Sequence, residues 1–399
     1  MRKIGVGTVK ISAKAKRYVN IALKNHRLSY GPFLQRFENE FARLHDRKFG
    51  ISCNSGTSAL QIALGTLKEV HHWNDGDEVI VPAVTFIATS NVVLQNGMKP
   101  IFVDVDSRTS NMDPKKIEEK ITKKTRVIMP VHLYGLSAEM DLIMKIARKH
   151  NLKVLEDSCE SMFVSYKGKP VGSRGDIACF STYAAHLVVT GVGGLALTNN
   201  PDYAVIMKSM MNHGRDSVYL NIDDDDNLKN EKAIFNMADK RFSFVRMGYS
   251  FRLTELEGAL GVAELEDHEK NIASRQRNAS YLIKNLSQYN NLIQLPSWPA
   301  YSEHAFMMFP IIVRDPRITR ADLITYLEKN GVETRYLMPL LSQPFKIKIL
   351  GNIEDKYPAA KWVTSNGFYV GCHQNLTKAD LQYMVRVFEG FFSKYVGSR

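Results

Sequence analysis

An apolar run at residues 177–181 leads into Phe180-Ser181-Thr182-Tyr183-Ala184-Ala185-His186-Leu187-Val188-Val189-Thr190-Gly191-Val192-Gly193-Gly194, and a second apolar run follows at 195–198. Both runs have the length and composition of β-strands. The three glycines of the segment allow a tight turn back into the second strand. The sequence therefore predicts a strand, a tight connection that carries Ser181 and His186, and another strand.

The same kind of pattern extends on both sides of this segment. From about residue 30 to residue 200, short apolar runs alternate with longer amphipathic stretches. This pattern is typical of βα units around a mostly parallel sheet. Helices are predicted at 57–66 and 139–150, and strands at 49–53, 78–81, 101–103, 126–130, 154–156, 177–181 and 195–198.

The second half of the chain shows a different pattern. Residues 247–265 predict a turn followed by a long helix, and Pro296-Ser297-Trp298-Pro299 is interpreted as a linker that enters a new unit. Beyond it we expect a strand at 307–313, a helix at 320–330 and a closing helix at 378–394. The predicted fold class is α/β, with an N-terminal segment and large domain at 1–265 and a small α+β domain at 266–399.

Composition limits the possible classes of function. The chain has 399 residues, 44% of them hydrophobic, and a net charge of +12. A basic surface suits a nucleotide diphosphate as well as a nucleic acid, but no nucleic-acid-binding motif accompanies the charge. We therefore expect no nucleic-acid partner. The acidic run at 223–226 is interpreted as a solvated loop, and no metal site is predicted.

The cysteines and the first residues indicate a compartment. Four scattered cysteines form no CxxC pair, which argues against a zinc site and a disulfide framework. We interpret them as buried thiols in a reducing cytoplasm. The first residues lack the apolar core of a signal peptide, and no run of eighteen apolar residues occurs. A cytoplasmic protein without a membrane partner is expected.

Two fragments carry groups that suit a phosphorylated cofactor. Asn54-Ser55-Gly56-Thr57-Ser58-Ala59-Leu60 follows a predicted strand and opens a helix, where backbone N–H groups and hydroxyls favour phosphate. An ordinary helix cap explains these residues equally well. Leu155-Glu156-Asp157 ends another strand with a carboxylate, at the place where α/β sheets contact ligands. A helix-capping aspartate is the alternative there.

Seven fragments resemble, in their order along the chain, the sugar aminotransferases of the DegT/DnrJ/EryC1/StrS family. The resemblance runs from about residue 25 to the C-terminus. It implies an aspartate aminotransferase-like fold of type I that uses pyridoxal phosphate (PLP). It also implies a homodimer with shared active sites. The fragments are residues 54–60, 81–89, 130–135, 155–160, 181–186, 212–216 and 246–259.

The resemblance implies roles for the residues that contact the cofactor. Phe86 stacks on the pyridine ring, although a core phenylalanine is the alternative. Asp157 keeps the pyridine nitrogen protonated, so that the ring can accept electrons from a substrate carbanion. The residues expected at the phosphate are Ser55, Gly56, Thr57 and Ser181.

Several positions depart from the family pattern or face the substrate. Glu160 stands where many relatives have a glutamine near the cofactor hydroxyl. Ser250 replaces an asparagine that reaches the partner subunit's phosphate, and serine has a shorter reach. Val192 replaces a glutamate between glycines. The resemblance places four residues on the sugar-nucleotide side: His213, Arg215, Arg335 and His373, the last in the segment 367–373. A surface arginine is the alternative for Arg335.

His186 occupies the position at which the aminotransferases carry lysine. A primary amine forms a Schiff base with the PLP aldehyde, whereas an imidazole can only move protons. Members with histidine resemble the 3-dehydratases of nucleotide-activated 4-keto-6-deoxyhexoses. By that analogy the cofactor rests as pyridoxamine phosphate (PMP) or unlinked PLP, and His186 acts as the general base, with an ordinary pKa of about 6.5.

The scattered cysteines favour a redox-neutral dehydratase over one that uses an iron-sulfur cluster. In the redox-neutral type, the product leaves after loss of water and L-glutamate restores PMP. Two alternatives stay open. A sugar-nucleotide aminotransferase is indicated if His186 is a substitution for lysine. A non-catalytic sugar-nucleotide sensor is the other, although Asp157, Phe86 and Ser181 argue against it.

Overall fold

The computed structural model describes residues 2–216, 230–240 and 242–396. The acidic run at 223–226 lies outside these residues. Within the described part of the chain, no helix combines the length and the apolar character that crossing a bilayer requires. The architecture consists of two sheets with helices packed on them, plus a two-stranded ribbon.

Thirteen α-helices occur in the described residues, in addition to short 3-10 turns. They are α1 Ala13–Lys24, α2 Pro32–Leu44, α3 Gly56–Val70, α4 Ile87–Gln95, α5 Met140–Lys149, α6 Pro201–Met211, α7 Glu231–Lys240, α8 Glu255–Leu265, α9 His268–Leu286, α10 Arg320–Lys329, α11 Pro344–Leu350, α12 Pro358–Asn366 and α13 Lys378–Val396.

The strands of the described residues form three groups. The large sheet contains β1 Phe49–Cys53, β2 Glu78–Pro82, β3 Lys99–Val103, β4 Thr125–Ile128, β5 Lys153–Asp157, β8 Ile177–Ser181 and β9 Gly194–Thr198. The ribbon contains β6 Ser165–Tyr166 and β7 Lys169–Pro170. The small sheet contains β10 Ile293–Gln294, β11 Phe309–Val313, β12 Thr334–Tyr336 and β13 Gly367–Val370.

The large sheet has the strand order β1-β9-β8-β5-β4-β2-β3. All pairs are parallel except those of β9, which runs antiparallel to both β1 and β8. The predicted strands are all present, with ends that differ by one or two residues. The tight connection predicted at 182–193 returns the chain from β8 to β9, and Ser181 pairs with Gly194. The ends of β1, β5 and β8 therefore meet at one edge of the sheet.

The small sheet is antiparallel, in the order β10-β11-β13-β12, and packs on α9, α10 and α13. Its β10 precedes Pro296-Ser297-Trp298-Pro299 and pairs with β11, which follows it. The linker interpretation of this segment is therefore wrong, because it connects two strands of one sheet. The boundary at 265/266 stays a prediction.

The N-terminal segment packs against the small sheet. Ile4 bridges Val332 in parallel and is buried in the core of the small sheet. The Val6 backbone N–H donates to Glu333 Oε2 at 3.0 Å. Beyond it, Gly7 approaches Ala185, whose neighbour is His186. Residues 4–7 thus run from the small sheet to the connection between β8 and β9.

Candidate active site

A cavity of about 420 Å³ lies between the edge of the large sheet and the small sheet, and is called the cavity below. Its walls come from sequence regions that are far apart, which is typical of ligand sites in α/β folds. Eight of the residues predicted from sequence line it: Ser55, Gly56, Thr57, Phe86, Asp157, Glu160, Ser181 and His186.

The N-terminus of α3 opens at the cavity. Ser55 caps the helix by accepting a hydrogen bond from the Ser58 backbone N–H at 3.0 Å. The predicted cap is therefore present, and the remaining N–H groups of the first turn have no partner within the helix. Gly56 is packed so closely that an added Cβ would lie 2.7 Å from the Ser181 Cβ. Backbone N–H groups and the hydroxyls of Ser55, Thr57 and Ser181 thus lie together beside the cavity, which fits a phosphate.

Asp157 is buried at the end of β5. Its Oδ2 accepts a hydrogen bond from Thr89 Oγ1 at 2.8 Å, and Thr89 in turn contacts Thr85 Oγ1 at 2.7 Å. Burial raises the pKa of this carboxyl, although the hydrogen bonds from Thr89 and Cys159 oppose that effect. No helix begins at this position. The helix-capping alternative is therefore wrong, and a cationic ring nitrogen would suit the carboxylate.

Glu156 anchors β5 behind the cavity. The carboxylate accepts hydrogen bonds from the backbone N–H groups of Gly172, Arg174 and Gly175, and from the His132 ring. Burial raises its pKa, but these bonds and the nearby cations prevail and lower the value to about 2. The residue is therefore ionised at neutral pH. It ties the strand end that carries Asp157 to the turn before β8.

Glu160 is a second buried carboxyl in the cavity wall. Its Oε2 accepts a hydrogen bond from the Tyr134 backbone N–H at 2.8 Å. Burial raises its pKa to about 8, and the nearby Asp157 adds to the effect, while the Tyr134 N–H opposes it. Glu160 is thus mainly protonated at neutral pH, unlike an exposed glutamate.

His186 lies half-buried in the cavity wall with an unpartnered Nδ1. Its ring stands at 79° to that of Tyr183, at a centroid distance of 6.0 Å. Burial lowers its pKa to about 4, so the expected ordinary value is wrong for the structure without ligands. The imidazole is therefore neutral at neutral pH and able to accept a proton.

Two further features of the cavity wall are the exposed ring of Phe86 and the lack of a lysine among the described lining residues. The Phe86 side chain is 60% exposed at the start of α4, so the core-phenylalanine alternative is wrong. A bare aromatic ring of this kind suits stacking with a flat ligand. None of the described residues that line the cavity is a lysine. No described lining residue can therefore supply the side-chain amine that a lysine at position 186 would provide.

Five residues predicted for the site lie outside the cavity wall. Ser250 and His213 are exposed, and the Ser250 Oγ accepts a hydrogen bond from Arg252. Arg335 is bound to Glu333, and Arg215 is half-buried. His373 is buried next to the N-terminal segment, with an unpartnered Nδ1. Their predicted roles stay predictions.

The sequence did not identify several residues of the cavity wall. Tyr369 belongs to a segment expected on the sugar side, and the spacing of Thr85 and Thr89, one helical turn, was a usable signal. Val6 carried no signal, because it reaches the cavity only through its pairing with the small sheet. The other unpredicted apolar residues are Leu60, Val131, Leu133, Met307, Met308 and Met338.

The four cysteines are free, and three of them are buried. Cys159 is the exception, because it lies partly exposed in the cavity wall. Burial raises the pKa of its thiol well above the ordinary value. No group of three or more histidine, cysteine or acidic side chains in the described residues could hold a metal ion.

Comparison with known proteins identifies a family that this chain matches over most of its length. The profile of the DegT/DnrJ/EryC1/StrS aminotransferase family matches residues 9–389. The chain is 32% identical to GDP-perosamine synthase of Caulobacter vibrioides over 386 residues, 96% of each chain. It is 30% identical to GDP-4-keto-6-deoxy-D-mannose 3-dehydratase of Yersinia pseudotuberculosis over 362 residues, covering 88% of this chain and 89% of the relative.

A solved structure supports the same grouping. E. coli GDP-4-keto-6-deoxy-D-mannose-3-dehydratase with bound hydrated PLP superposes with a TM-score of 0.87 at 25% identity. The alignment covers 97% of this chain and 99% of that structure. The predicted aspartate aminotransferase-like fold and the PLP cofactor are therefore confirmed. The relatives thus include both a GDP-perosamine synthase and a 3-dehydratase.

Proposed function

This chain belongs to the DegT/DnrJ/EryC1/StrS aminotransferase family, and from that membership we propose that it dehydrates a nucleotide-linked 4-keto-6-deoxyhexose at C3. The observation that carries the proposal is His186, which stands in the wall of the cavity while no described residue of that wall is a lysine. An enzyme built for transamination needs the amine that is missing here.

The residues of the cavity fit PLP or PMP. Ser55, Gly56, Thr57 and Ser181 offer hydroxyls and backbone N–H groups to its phosphate, Phe86 offers a ring face, and Asp157 a buried carboxylate for the pyridine nitrogen. The bound cofactor supplies an amine for the C4 ketone of the sugar and a ring that draws electrons away from the reacting carbons. Asp157 supports that withdrawal by holding the ring nitrogen protonated.

His186 moves the proton in this proposal. Burial lowers the pKa of the imidazole to about 4, so the ring is neutral at neutral pH and has a nitrogen free to accept a proton, while the imidazolium that forms is a stronger acid than usual. The imidazolium then returns that proton to the departing C3 oxygen, which leaves as water. The same residue thus serves as base and acid within one turnover.

The opposite side of the cavity is proposed to receive the sugar. Met307, Met308, Met338 and Tyr369 form this largely apolar wall, together with Val6. We place His213, Arg215, Arg335 and His373 further out, toward the nucleotide diphosphate, which agrees with their positions outside the cavity wall. L-Glutamate is the proposed amino donor that restores PMP.

The alternative function is sugar-nucleotide transamination. The similarity to GDP-perosamine synthase, at 32% identity over 96% of each chain, favours it. His186 opposes it, since a histidine cannot form the covalent link on which the aminotransferases depend. The two reactions yield different products from the same substrate, so a single assay separates them.

The test is incubation of the purified protein with PLP, L-glutamate and nucleotide-linked 4-keto-6-deoxyhexoses, followed by mass spectrometry of the sugar. A product that is lighter than the substrate by one oxygen atom, with one 2-oxoglutarate and one ammonia formed per product, supports dehydration, because hydrolysis after the loss of water restores the C4 ketone. A stable 4-amino sugar would support transamination. Binding of the sugar without turnover, and no spectral response of PLP to glutamate, would support the sensor alternative.

We also propose a homodimer with shared sites. The segment at 242–247 exposes Phe242, Phe244, Val245 and Met247, with 84% and 85% of Phe242 and Met247 accessible. Ser250 follows directly and is also exposed. If a second subunit covers this surface, the polar side chain of Ser250 in one subunit would lie near the active site of the other. The free cysteines support a cytoplasmic location for such a dimer.

A further inference from the structure

Two carboxyl groups without a cationic partner face the same cavity. Glu160 and Asp157 both line it, and both are buried. Among the described residues, no lysine, arginine or histidine forms an ion pair with either group, and the Tyr134 N–H is the one hydrogen-bond donor to Glu160. Two like charges at such a place disfavour each other strongly. An ionised Asp157 therefore adds to the effect of burial, which is the main cause that keeps Glu160 protonated.

The groups that face Glu160 from the neighbouring elements carry no positive charge. Asp157 ends β5, and Cys159 lies in the turn that follows this strand. Tyr134 lies on a 3-10 turn, and Tyr369 lies on β13. Both tyrosines and the cysteine have raised pKa values and are neutral near neutral pH. Asp157 is thus the only charge that these neighbours can bring to bear on Glu160.

Binding of the cofactor determines whether Asp157 or Glu160 loses its proton. A protonated pyridine nitrogen favours the ionised form of Asp157, as the proposed function requires. Glu160 then faces a negative neighbour, and an ionised Glu160 would also repel the phenolic oxygen of the cofactor. We propose that Glu160 acts as a neutral carboxylic acid that donates a hydrogen bond to this oxygen, and that the cofactor is released when Glu160 ionises. This inference rests on cofactor binding as described under the proposed function.

The neutral acid reproduces one property of the glutamine that many relatives carry there, because both can donate one hydrogen bond and accept another. It differs in a second property, because an acid can lose its donor proton and an amide cannot. His186 makes the difference consequential. Without a lysine in the described cavity wall, the cofactor is retained by non-covalent contacts alone, so the loss of one donor weakens its binding directly.

The experiment measures the Kd of the protein for PMP by equilibrium dialysis, at pH values on both sides of about 8. The same series is run with Glu160→Gln, which keeps an acceptor for the Tyr134 N–H and a permanent donor. Because the ionisations of PMP itself are common to both proteins, only the difference between their profiles reports on Glu160. No sugar substrate is present, so an error in the proposed dehydration leaves this measurement unaffected.

The Kd of the wild-type protein for PMP is divided by the Kd of Glu160→Gln at the same pH. This ratio is expected to rise by about tenfold per pH unit once the pH exceeds the pKa of Glu160. Parallel profiles for the two proteins would overturn the inference. Should the variant fail to fold, the infrared carbonyl band of a protonated carboxyl decides, measured in the Glu264→Gln holoprotein because Glu264 also has a pKa raised to about 7. Its loss on raising the pH, together with cofactor release, supports the inference, and its absence at every pH overturns it.

Discussion

His186 determines the chemistry at the residue scale, because an imidazole exchanges protons but forms no Schiff base. Its neighbours keep the features of a PLP site: Asp157 at the strand end, Phe86 with its face bare, and Ser181 at the close of β8. Under the proposed function, the site therefore combines residues that fit the cofactor with a histidine in place of the lysine. That combination fits an enzyme that uses the cofactor for elimination and not a protein that has abandoned it.

Replacement of His186 by lysine tests this combination directly. His186→Lys is expected to gain a covalent, borohydride-reducible link to PLP and to lose dehydration by roughly a hundredfold or more, the usual contribution of a general base. Absorbance spectra and intact mass after reduction monitor the link, and the sugar assay monitors the reaction. His186→Asn serves as the control, since it removes the base without adding an amine. Normal dehydration by the lysine variant would contradict the role of His186.

The raised pKa of Glu160 also has a consequence for stability without cofactor. In the unfolded chain this carboxyl ionises near its ordinary pKa of about 4.3, whereas in the fold its pKa is about 8. A pKa raised by folding means that stability is fully present below the unfolded value and falls as the pH rises toward the folded one. Glu160 therefore destabilises the apoprotein increasingly between these two pH values.

Glu160→Gln is expected to raise the melting temperature of the apoprotein near pH 8 by several degrees, and to change it little in mildly acid solution. Differential scanning calorimetry across this pH range measures the effect. Glu269→Gln is a suitable control, since Glu269 is exposed in the first turn of α9. An equal shift at both ends of the pH range would contradict the prediction.

The motifs identified the polar residues of the site because their chemistry is local. A strand end or a helix start places Ser55, Asp157 and Ser181 at the same sheet edge whatever the rest of the chain does. The pKa of His186 and the exposure of Cys159 could not be predicted in this way. Both depend on the surroundings that the fold builds around a side chain, and burial is a property of the assembled molecule.

At the scale of elements, the contact between α3 and the β8–β9 connection determines the shape of the cavity end at which the phosphate is proposed to bind. Ser55 bridges Gly193, and Gly56 leaves no room for a Cβ between Ser181 and Cys159. A helix whose first turn lies this close to a strand end has a fixed position relative to it. The close approach explains why a glycine opens the helix.

Gly56→Ala is expected to displace the first turn of α3, to cost about 1–3 kcal/mol of stability through overpacking, and to weaken PLP binding. Denaturant unfolding and a PLP titration measure the two effects. Gly65→Ala, in the middle of the same helix, is the matched control. Its Cβ would meet the ends of the Asn96 and Met210 side chains, which can move. Unchanged PLP affinity in Gly56→Ala would contradict the assigned phosphate site.

The strands of the large sheet were predictable because each is a short apolar run bounded by turn residues. The small sheet was harder to predict. Its β10 has two residues and β12 has three, so neither shows a measurable period. The prolines at 296–299 indicated a break between domains, but they lie in the connection 295–308, which joins β10 to β11 within one sheet.

At the scale of the whole molecule, the N-terminal segment links the two sheets through the site. Ile4 is part of the small-sheet core, Val6 lines the cavity, and Gly7 contacts the residue before His186. A shift of the small sheet would therefore move one wall of the cavity. No sequence motif indicated this connection, because it depends on contacts between residues more than three hundred positions apart.

The dimer proposal predicts a solution mass of twice the 45.2 kDa chain in light scattering after size-exclusion chromatography. Met247→Asp is expected to shift the mass toward the monomer, because it places a charge on the exposed apolar segment that a partner would cover. Ile349→Asp is the control, since Ile349 is an exposed apolar residue on α11. A monomeric wild-type protein, or an unaffected Met247→Asp mass, would contradict the proposed interface.

Chemical labelling of the Cys159 thiol can report whether the cavity contains a ligand. Three of the four cysteines are buried, while this one lies partly exposed beside the phosphate end of the cavity. A small alkylating reagent therefore modifies one position, slowly, because the raised pKa keeps the thiol protonated. A ligand seated in the cavity shields that sulfur from the reagent. The extent of labelling, read from the intact mass, then gives the fraction of molecules whose site is filled.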